Sequence, residues 1–258
     1  MVISSAYDVR LAKDAEDLLA VQRLRYDVFV RELGACRPAV DHGLEIEADD
    51  FDSNCEHLML LDRTRGADLT ERLVGVYRIM NRSGAEAAGG FYTASEFDLA
   101  PMLATGRPMI ELGRSCLRKP YRGGAAMFYL WQALAQHVTR QGAEILFGTA
   151  SFAGTDPSKF KAPLSLLGRE HLAQAALRPT AIGAGAVPLC ASGELEIDRL
   201  TALRAMPALI KAYLRLGGCV GEGAYVDAQF NTVDVCMVLD VAAMNPRQKA
   251  IYLRGLGR

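Results

Sequence analysis

The succession of apolar segments along the 258 residues predicts an α/β (α+β) chain built on one mixed, twisted sheet flanked by helices. Three observations carry this. Strand-like runs follow one another in the first half, and strand–helix units come after them, the pattern of a mixed sheet with helices packed on it. The chain is half apolar and 23% charged, and long enough to bury a core without staples. No stretch rich in Pro, Gly and Ser marks a boundary, and the Gly/Ala-rich Ala181–Pro188 is short. The sequence is therefore read as one domain over 1–258, with about 170–258 completing the sheet.

The elements follow in order. Tyr7–Leu11 reads as a strand. Asp14 caps a helix to about Val30, with Glu16 and Asp17 placed well against its dipole and Leu18, Val21, Leu24 and Val28 at core spacing. Residues 34–54 hold Gly, Pro and many acids and read as an excursion. His57–Leu61, Leu73–Met80 and Met109–Leu117 are strands. The turn Lys119–Gly124 opens a helix from Ala125 to Gln141, ended by Gly142, with Met127, Leu130, Leu134 and Val138 as its buried stripe. Glu144–Ala150 is a strand, Leu200–Leu216 a helix and Val233–Val241 the final strand.

Composition excludes several classes. Lys plus Arg is 29 and Asp plus Glu is 30, a formal net charge of −1, so a nucleic-acid partner is not expected. The cations are 23 Arg and 6 Lys, which favours fixed forks for phosphate or carboxylate. The six cysteines form no C-x-x-C pair and the four histidines are scattered, so neither a metal site nor a disulfide framework is expected. The cysteines read as small core residues, His57 as a strand-edge residue, and Asn231 and Asp234 as structural groups of the last turn. Met1–Tyr7 holds no long apolar region of a leader. The clean apolar run Ala125–Trp131 is far short of the ~20 residues that span a bilayer. A cytoplasmic protein is expected, with peripheral contact at the inner face of the membrane left open.

Arg118-Lys119-Pro120-Tyr121-Arg122-Gly123-Gly124-Ala125 follows a strand and opens a helix. Glycines there let backbone N–H groups approach an anion, and the helix N-terminus adds partial positive charge. The dinucleotide and P-loop fingerprints are absent. The turn resembles the R-x-x-G-x-[GA] turn of the GNAT superfamily of N-acyltransferases, one glycine off the common spacing. The resemblance implies that Arg118, Arg122, Gly123, Gly124 and Ala125 grip the phosphate of a pantetheine arm. An ordinary Gly-rich strand–helix turn is the other reading.

Further segments sharpen the resemblance: Leu24–Gly34, Glu45–Asp52 followed by His57-Leu58, and Val74–Arg78 with Glu111-Leu112-Gly113-Arg114 downstream. Their order is similar to the GNAT branch of acyl-homoserine-lactone synthases and ornithine lipid synthases. Gly148–Phe152, Pro207–Gly218 and Gly223–Val235 resemble the ornithine lipid synthases. Trp131 is the only tryptophan, and its absence from the N-terminal segment argues against a lactone synthase. The resemblance implies one GNAT-like domain with a splayed central strand pair.

The matching polar set is Asp49, Asp52, Arg78, Glu111 and Arg114. Arg78 shares a strand face with Val74 and Val76, so it wants a buried partner or a carboxylate ligand. A structural pair with Asp49 or Asp52 stands beside a substrate role. Asp49 and Asp52 read either as a solvated acidic loop or as receivers of ammonium groups. Glu111 and Arg114, three apart, fall on opposite faces of a regular strand, and a bulge at Gly113 brings both to one side. A solvent-facing Glu111, or one paired with a local Arg, is the alternative.

The resemblance implies transfer of a 3-hydroxy fatty acyl chain from acyl carrier protein to the α-amine of ornithine. Glu111 is the expected base and Arg114 its catalytic companion; Asp49, Asp52 and Arg78 are expected to hold the amino acid. No resident cofactor is expected, because phosphopantetheine arrives on the carrier. Glutamine or glycine as acceptor, a lactone synthase, and a non-catalytic carrier-binding module are the rival readings. Phe147, Phe152, Phe160, Leu164 and Leu167 are candidates to line an acyl pocket, or plain core.

Overall fold

The computed structural model describes residues 2–3, 6–37, 40–190 and 198–253; Met1, Ser4 and Ser5 of the N-terminal stretch lie outside them. Two compact units make up the domain read from the sequence. One comprises Met1–Gly89, Leu112–Ala143 and Lys249–Arg258, the other Gly90–Glu111 and Glu144–Gln248.

The first unit is built on β1 (Tyr7–Leu11), β2 (Glu56–Asp62), β3 (Leu73–Asn81) and the Leu112–Leu117 part of β4 (Met109–Leu117), in that spatial order. β1 and β3 both pair antiparallel with β2. Helix α1 (Ala15–Arg25) covers Met59, Leu61, Leu73 and Val76 with Ala20, Val21 and Leu24. Its start is set by Asp14, whose side chain accepts the Asp17 N–H at 2.9 Å. The α-helix expected to reach Val30 stops at Arg25, and Tyr26–Glu32 continues as a π-helix, with the Leu33 N–H bonded to the Val28 carbonyl. β-branched Val28 and Val30 and aromatic Tyr26 and Phe29 lower the α preference there.

Helix α2 (Ala125–Arg140) packs on β1, β2 and β3 and ends before Gly142, whose φ of +67° suits glycine. Its buried face includes Ala126, Leu130, Trp131, Leu134 and Val138, whereas Met127 is only half-buried. Three of the four residues expected in the stripe are thus buried, and the face is wider than expected on the side of Ala126 and Trp131. His57, expected at a strand edge, sits in the interior strand β2 opposite Arg78 and is buried.

In the second unit, Met109–Glu111 pairs parallel with the start of β5 (Ile145–Ala153), and this ladder ends at Glu111 opposite Phe147. β5 pairs antiparallel along β7 (Thr232–Asp240), and β7 with β6 (Ala224–Asp227). Phe147, Phe152, Leu164 and Leu167 are buried, the last two on α3 (Lys161–Glu170), and the Phe152 and Phe160 rings lie 5.0 Å apart. The helix expected over Leu200–Leu216 is two, α4 (Arg199–Ala205) and α5 (Ala208–Leu216). Pro207 separates them, because it has no N–H to give the preceding turn and forces Met206 into an extended conformation. Cys116 and Cys236 are buried as expected of core residues, while Cys36 is exposed. Among the described residues no helix is long and apolar enough to cross a membrane.

Candidate active site

Three acids of the excursion are not solvated, although Asp41, Glu45 and Asp50 are exposed. In the first unit, Glu47, Asp49 and Asp52 are turned inward onto Arg25, Arg37, Arg78 and Arg114. Arg25, wholly buried, donates to Glu47 at 2.5 Å and to Asp52 at 2.7 Å. Arg78 reaches Asp52 at 2.9 Å and also bonds Asp49, while Arg114 donates to Asp49 at 2.7 Å. Phe51 anchors the loop, with the Arg78 guanidinium 5.7 Å from its ring centre. Four guanidinium groups thus meet three carboxylates. Burial alone would raise the Glu47 carboxyl, but the charges of Arg25 and Arg114 outweigh it and hold it at about 2. The Asp52 carboxyl is likewise carried well below its usual range by Arg25 against the effect of burial. Burial lowers the pKa of His57, whose Nε2–H donates to the Asp52 carbonyl at 3.0 Å.

Of the residues expected to hold an amino acid, Asp49, Asp52 and Arg78 are therefore paired with one another, and Arg114 joins them. Arg25, Arg37 and Glu47 complete the network and were not singled out from the sequence. A signal existed for Arg25: it stands seven residues after Leu18 and four after Val21, on the apolar stripe of α1, where a cation needs a buried partner.

The kink expected at Gly113 falls one residue later. Arg114 has φ +50°, a left-handed conformation that costs a non-glycine residue and persists where surroundings enforce it. The inward pull of Asp49 on its guanidinium is such an enforcement.

The Arg118–Ala125 turn lies in the same unit. Gly123 has φ +77°, and a Cβ on Gly123 or Gly124 would meet nothing within 4 Å. Gly124 caps α2 without a side-chain hydrogen bond, so the start of a 16-residue helix opens onto an exposed cradle. The two arginines do not point freely over it. Arg118 donates to the Leu73 and Thr70 carbonyls at 2.9 and 3.2 Å and to Asp27 at 3.2 Å. Arg122 donates to the Leu117 carbonyl at 3.0 and 2.8 Å and forms a fork with Glu32.

Glu111 belongs to the second unit. It is buried, and its carboxylate accepts the Tyr92 N–H at 3.0 Å and the Thr93 N–H at 2.6 Å. It faces neither solvent nor, through these two bonds, a cation. It caps the start of the one-turn 3-10 helix Tyr92–Ser95, while lone pairs on both oxygens remain for a proton.

A protein of Rhodobacter capsulatus named L-ornithine N(alpha)-acyltransferase is 49% identical over 96% of this chain and 95% of its own length. The chain belongs to the L-ornithine N(alpha)-acyltransferase family. An Agrobacterium fabrum protein of the same name is 37% identical over 95% of this chain and 84% of its own. The acetyltransferase (GNAT) domain model matches residues 24–132, from the end of α1 to the middle of α2. A solved structure described as the CoA-dependent acyl-homoserine lactone synthase MesI superposes with a TM-score of 0.50 at 15% identity, covering 97% of this chain and 96% of that one. The fold of this family member is thus the GNAT fold, and the protein is an acyltransferase of that class.

Proposed function

We propose that this protein transfers a 3-hydroxy fatty acyl chain from acyl carrier protein to the α-amine of L-ornithine, giving a lyso-ornithine lipid on the cytoplasmic side of the membrane. The observation that carries this reading is the 49% identity along nearly the whole chain with a relative of that name. In the reaction the amine nitrogen bonds to the thioester carbonyl carbon, the carbon–sulfur bond breaks, and the carrier's thiol leaves with a proton.

Glu111 is assigned as the group that first takes a proton from the acceptor ammonium. Its two backbone hydrogen bonds fix its position, which a general base requires before its basicity matters. The Arg118–Ala125 turn is assigned to the phosphate of the pantetheine arm, supported by the uncapped helix start and the open glycines. The network of Asp49, Asp52, Arg78 and Arg114 is assigned a positioning role, since its charges already satisfy one another.

Thiol release by the purified protein tests this. It should require both 3-hydroxyacyl carrier protein and ornithine, and acyl-CoA should be the poorer donor. Equal release with glycine or glutamine, or none with ornithine, would remove the reading.

A further inference from the structure

In the first unit, aromatic rings from β1, α2 with its preceding turn, and the end of the chain form one continuous series. Tyr121, in the turn before α2, lies 6.3 Å from Tyr7 on β1, and Tyr7 lies 5.4 Å from Tyr129 on α2. Tyr129 is 5.6 Å from Phe128, and Phe128 is 5.6 Å from Tyr252. Tyr252, at the end of α6 (Pro246–Tyr252), closes the series 5.7 Å from Trp131. α6 enters this unit at Lys249. Trp131 alone of these rings is buried; Phe128 is 36% exposed and the tyrosines are half-buried. A single exposed Phe is ordinary surface. A row of rings half in water and half on apolar neighbours is instead what aromatic side chains form at a lipid–water interface.

Charge points to the same partner. Arg63, Arg65 and Lys119 are exposed at the Tyr7 and Tyr121 end of the series. The Arg63 N–H donates to the Ala6 carbonyl at 2.8 Å, and Lys119 stands two residues before Tyr121. Of the acids there, Asp62 is occupied by the Tyr121 hydroxyl at 2.5 Å and the Thr64 hydroxyl at 2.7 Å, and Asp8 reaches Arg63 at 3.7 Å. At the other end Lys249 lies about one helical turn before Tyr252. The sequence from Lys249 to Arg258 holds three cations, Lys249, Arg254 and Arg258, and no acid. Ile251, Leu253 and Leu256 alternate with them, the composition of a segment that lies on an anionic membrane surface.

We propose that the ring series Tyr121, Tyr7, Tyr129, Phe128 and Tyr252, with the cations at its two ends, docks the protein on an anionic lipid bilayer. This rests on the proposed ornithine acylation and deepens it by naming the surface onto which the product leaves. That product is a single-chain amphiphile, and each of its methylenes contributes about 0.8 kcal/mol towards staying out of water. A docked enzyme passes the chain to the bilayer directly. An acidic protein would answer the cations but leave the rings without an apolar layer to enter. A second copy of the same face would set cations against cations.

The test is flotation of the full chain with vesicles of phosphatidylglycerol and phosphatidylcholine, compared with vesicles of phosphatidylcholine alone. Binding should be at least about tenfold tighter to the anionic vesicles and should fade as salt screens exposed charge. Phe128→Ser should weaken it at least about threefold, by withdrawing one ring from the apolar layer. Arg254→Gln with Arg258→Gln should weaken it at least about tenfold, since each cation near such a surface contributes about fivefold. Both variants should keep the melting temperature, the thiol release without vesicles and the affinity for acyl carrier protein of the unaltered chain. Should Phe128→Ser melt lower, the arginine pair decides. Vesicle binding by a protein that fails to acylate ornithine would keep this face and overturn the proposed reaction. Binding to neither vesicle, equal binding to both, or unchanged binding by either folded variant would overturn the face. So would a loss of carrier affinity in the variants with vesicle binding unaltered, or a concentration-dependent dimer that Phe128→Ser abolishes.

Discussion

The Glu111 carboxylate accepts the Thr93 backbone N–H at 2.6 Å, and its other oxygen accepts the N–H of Tyr92. The expected base is thus also the cap of the 3-10 turn Tyr92–Ser95 in its own unit. Glu111→Gln therefore does two things. An amide keeps one acceptor and sets its NH2 against the second N–H, which costs about 1–3 kcal/mol of stability. Turnover should also fall by ~10²–10⁴, the share of a general base, and the loss should shrink as pH rises and the amine loses its proton unaided. Melting and pH–rate profiles, taken together, separate the two effects. A folded variant with most of its neutral-pH turnover would leave Glu111 as a cap alone.

The buried ion network predicts an acid limb of unfolding. Glu47, held at about 2 against an unfolded value of 4.5, contributes stability that is present above the unfolded value and lost as pH falls towards 2. Asp52 is shifted in the same direction. Arg25→Met should destabilise the protein at pH 7 by about 3–5 kcal/mol, because it strands buried carboxylates. The same variant should show a flatter decline below about pH 5. Denaturant titrations across that range check it; an unchanged acid slope would contradict the network's role.

Arg122 carries a prediction about the carrier. Its fork is engaged by Glu32, so an incoming phosphate would compete with that carboxylate. Arg122→Ala should weaken binding of acyl carrier protein at low salt, and Glu32→Gln should tighten it. Both differences should fade as salt shortens the range of charge to ~8–10 Å or less. If neither variant changes the affinity at low salt, the turn does not receive the carrier's arm.

Of the set expected to line an acyl pocket or the core, Phe147, Phe152, Leu164 and Leu167 are buried, the two leucines at most 2% exposed, and Phe160 is half-buried. Leu167→Ala should lower stability by about 2–5 kcal/mol. Activity losses should be equal for short-chain and long-chain donors. A loss confined to long chains would restore the pocket.

Much of the fold was legible because its strands are short apolar runs between turns. Tyr7–Leu11 and Met109–Leu117 occur at the residues read from the sequence. Helix α2 was legible from its spacing and Gly142. Less legible were features set by distant partners. The π-helix after Arg25 places Asp27 and Glu32 against Arg118 and Arg122, ninety residues away in the case of Glu32 and Arg122. Glu47, Asp49 and Asp52 look solvated in isolation and become interior only because Arg25, Arg78 and Arg114 arrive from three other elements, while Asp50 between them stays exposed. Glu96 meets Asp227 and Asp234 only after more than a hundred residues, and no spacing rule joins them. The Gly113 kink moved to Arg114 for a similar reason, the pull of Asp49.

The most direct test of the central claim is tandem mass spectrometry of the product formed from 3-hydroxyacyl carrier protein and ornithine isotopically labelled at the α-nitrogen alone. The account predicts a single acyl-ornithine whose acyl-amide fragment carries the label. An acyl-amide fragment without the label, or no acylated ornithine from folded protein, would contradict it.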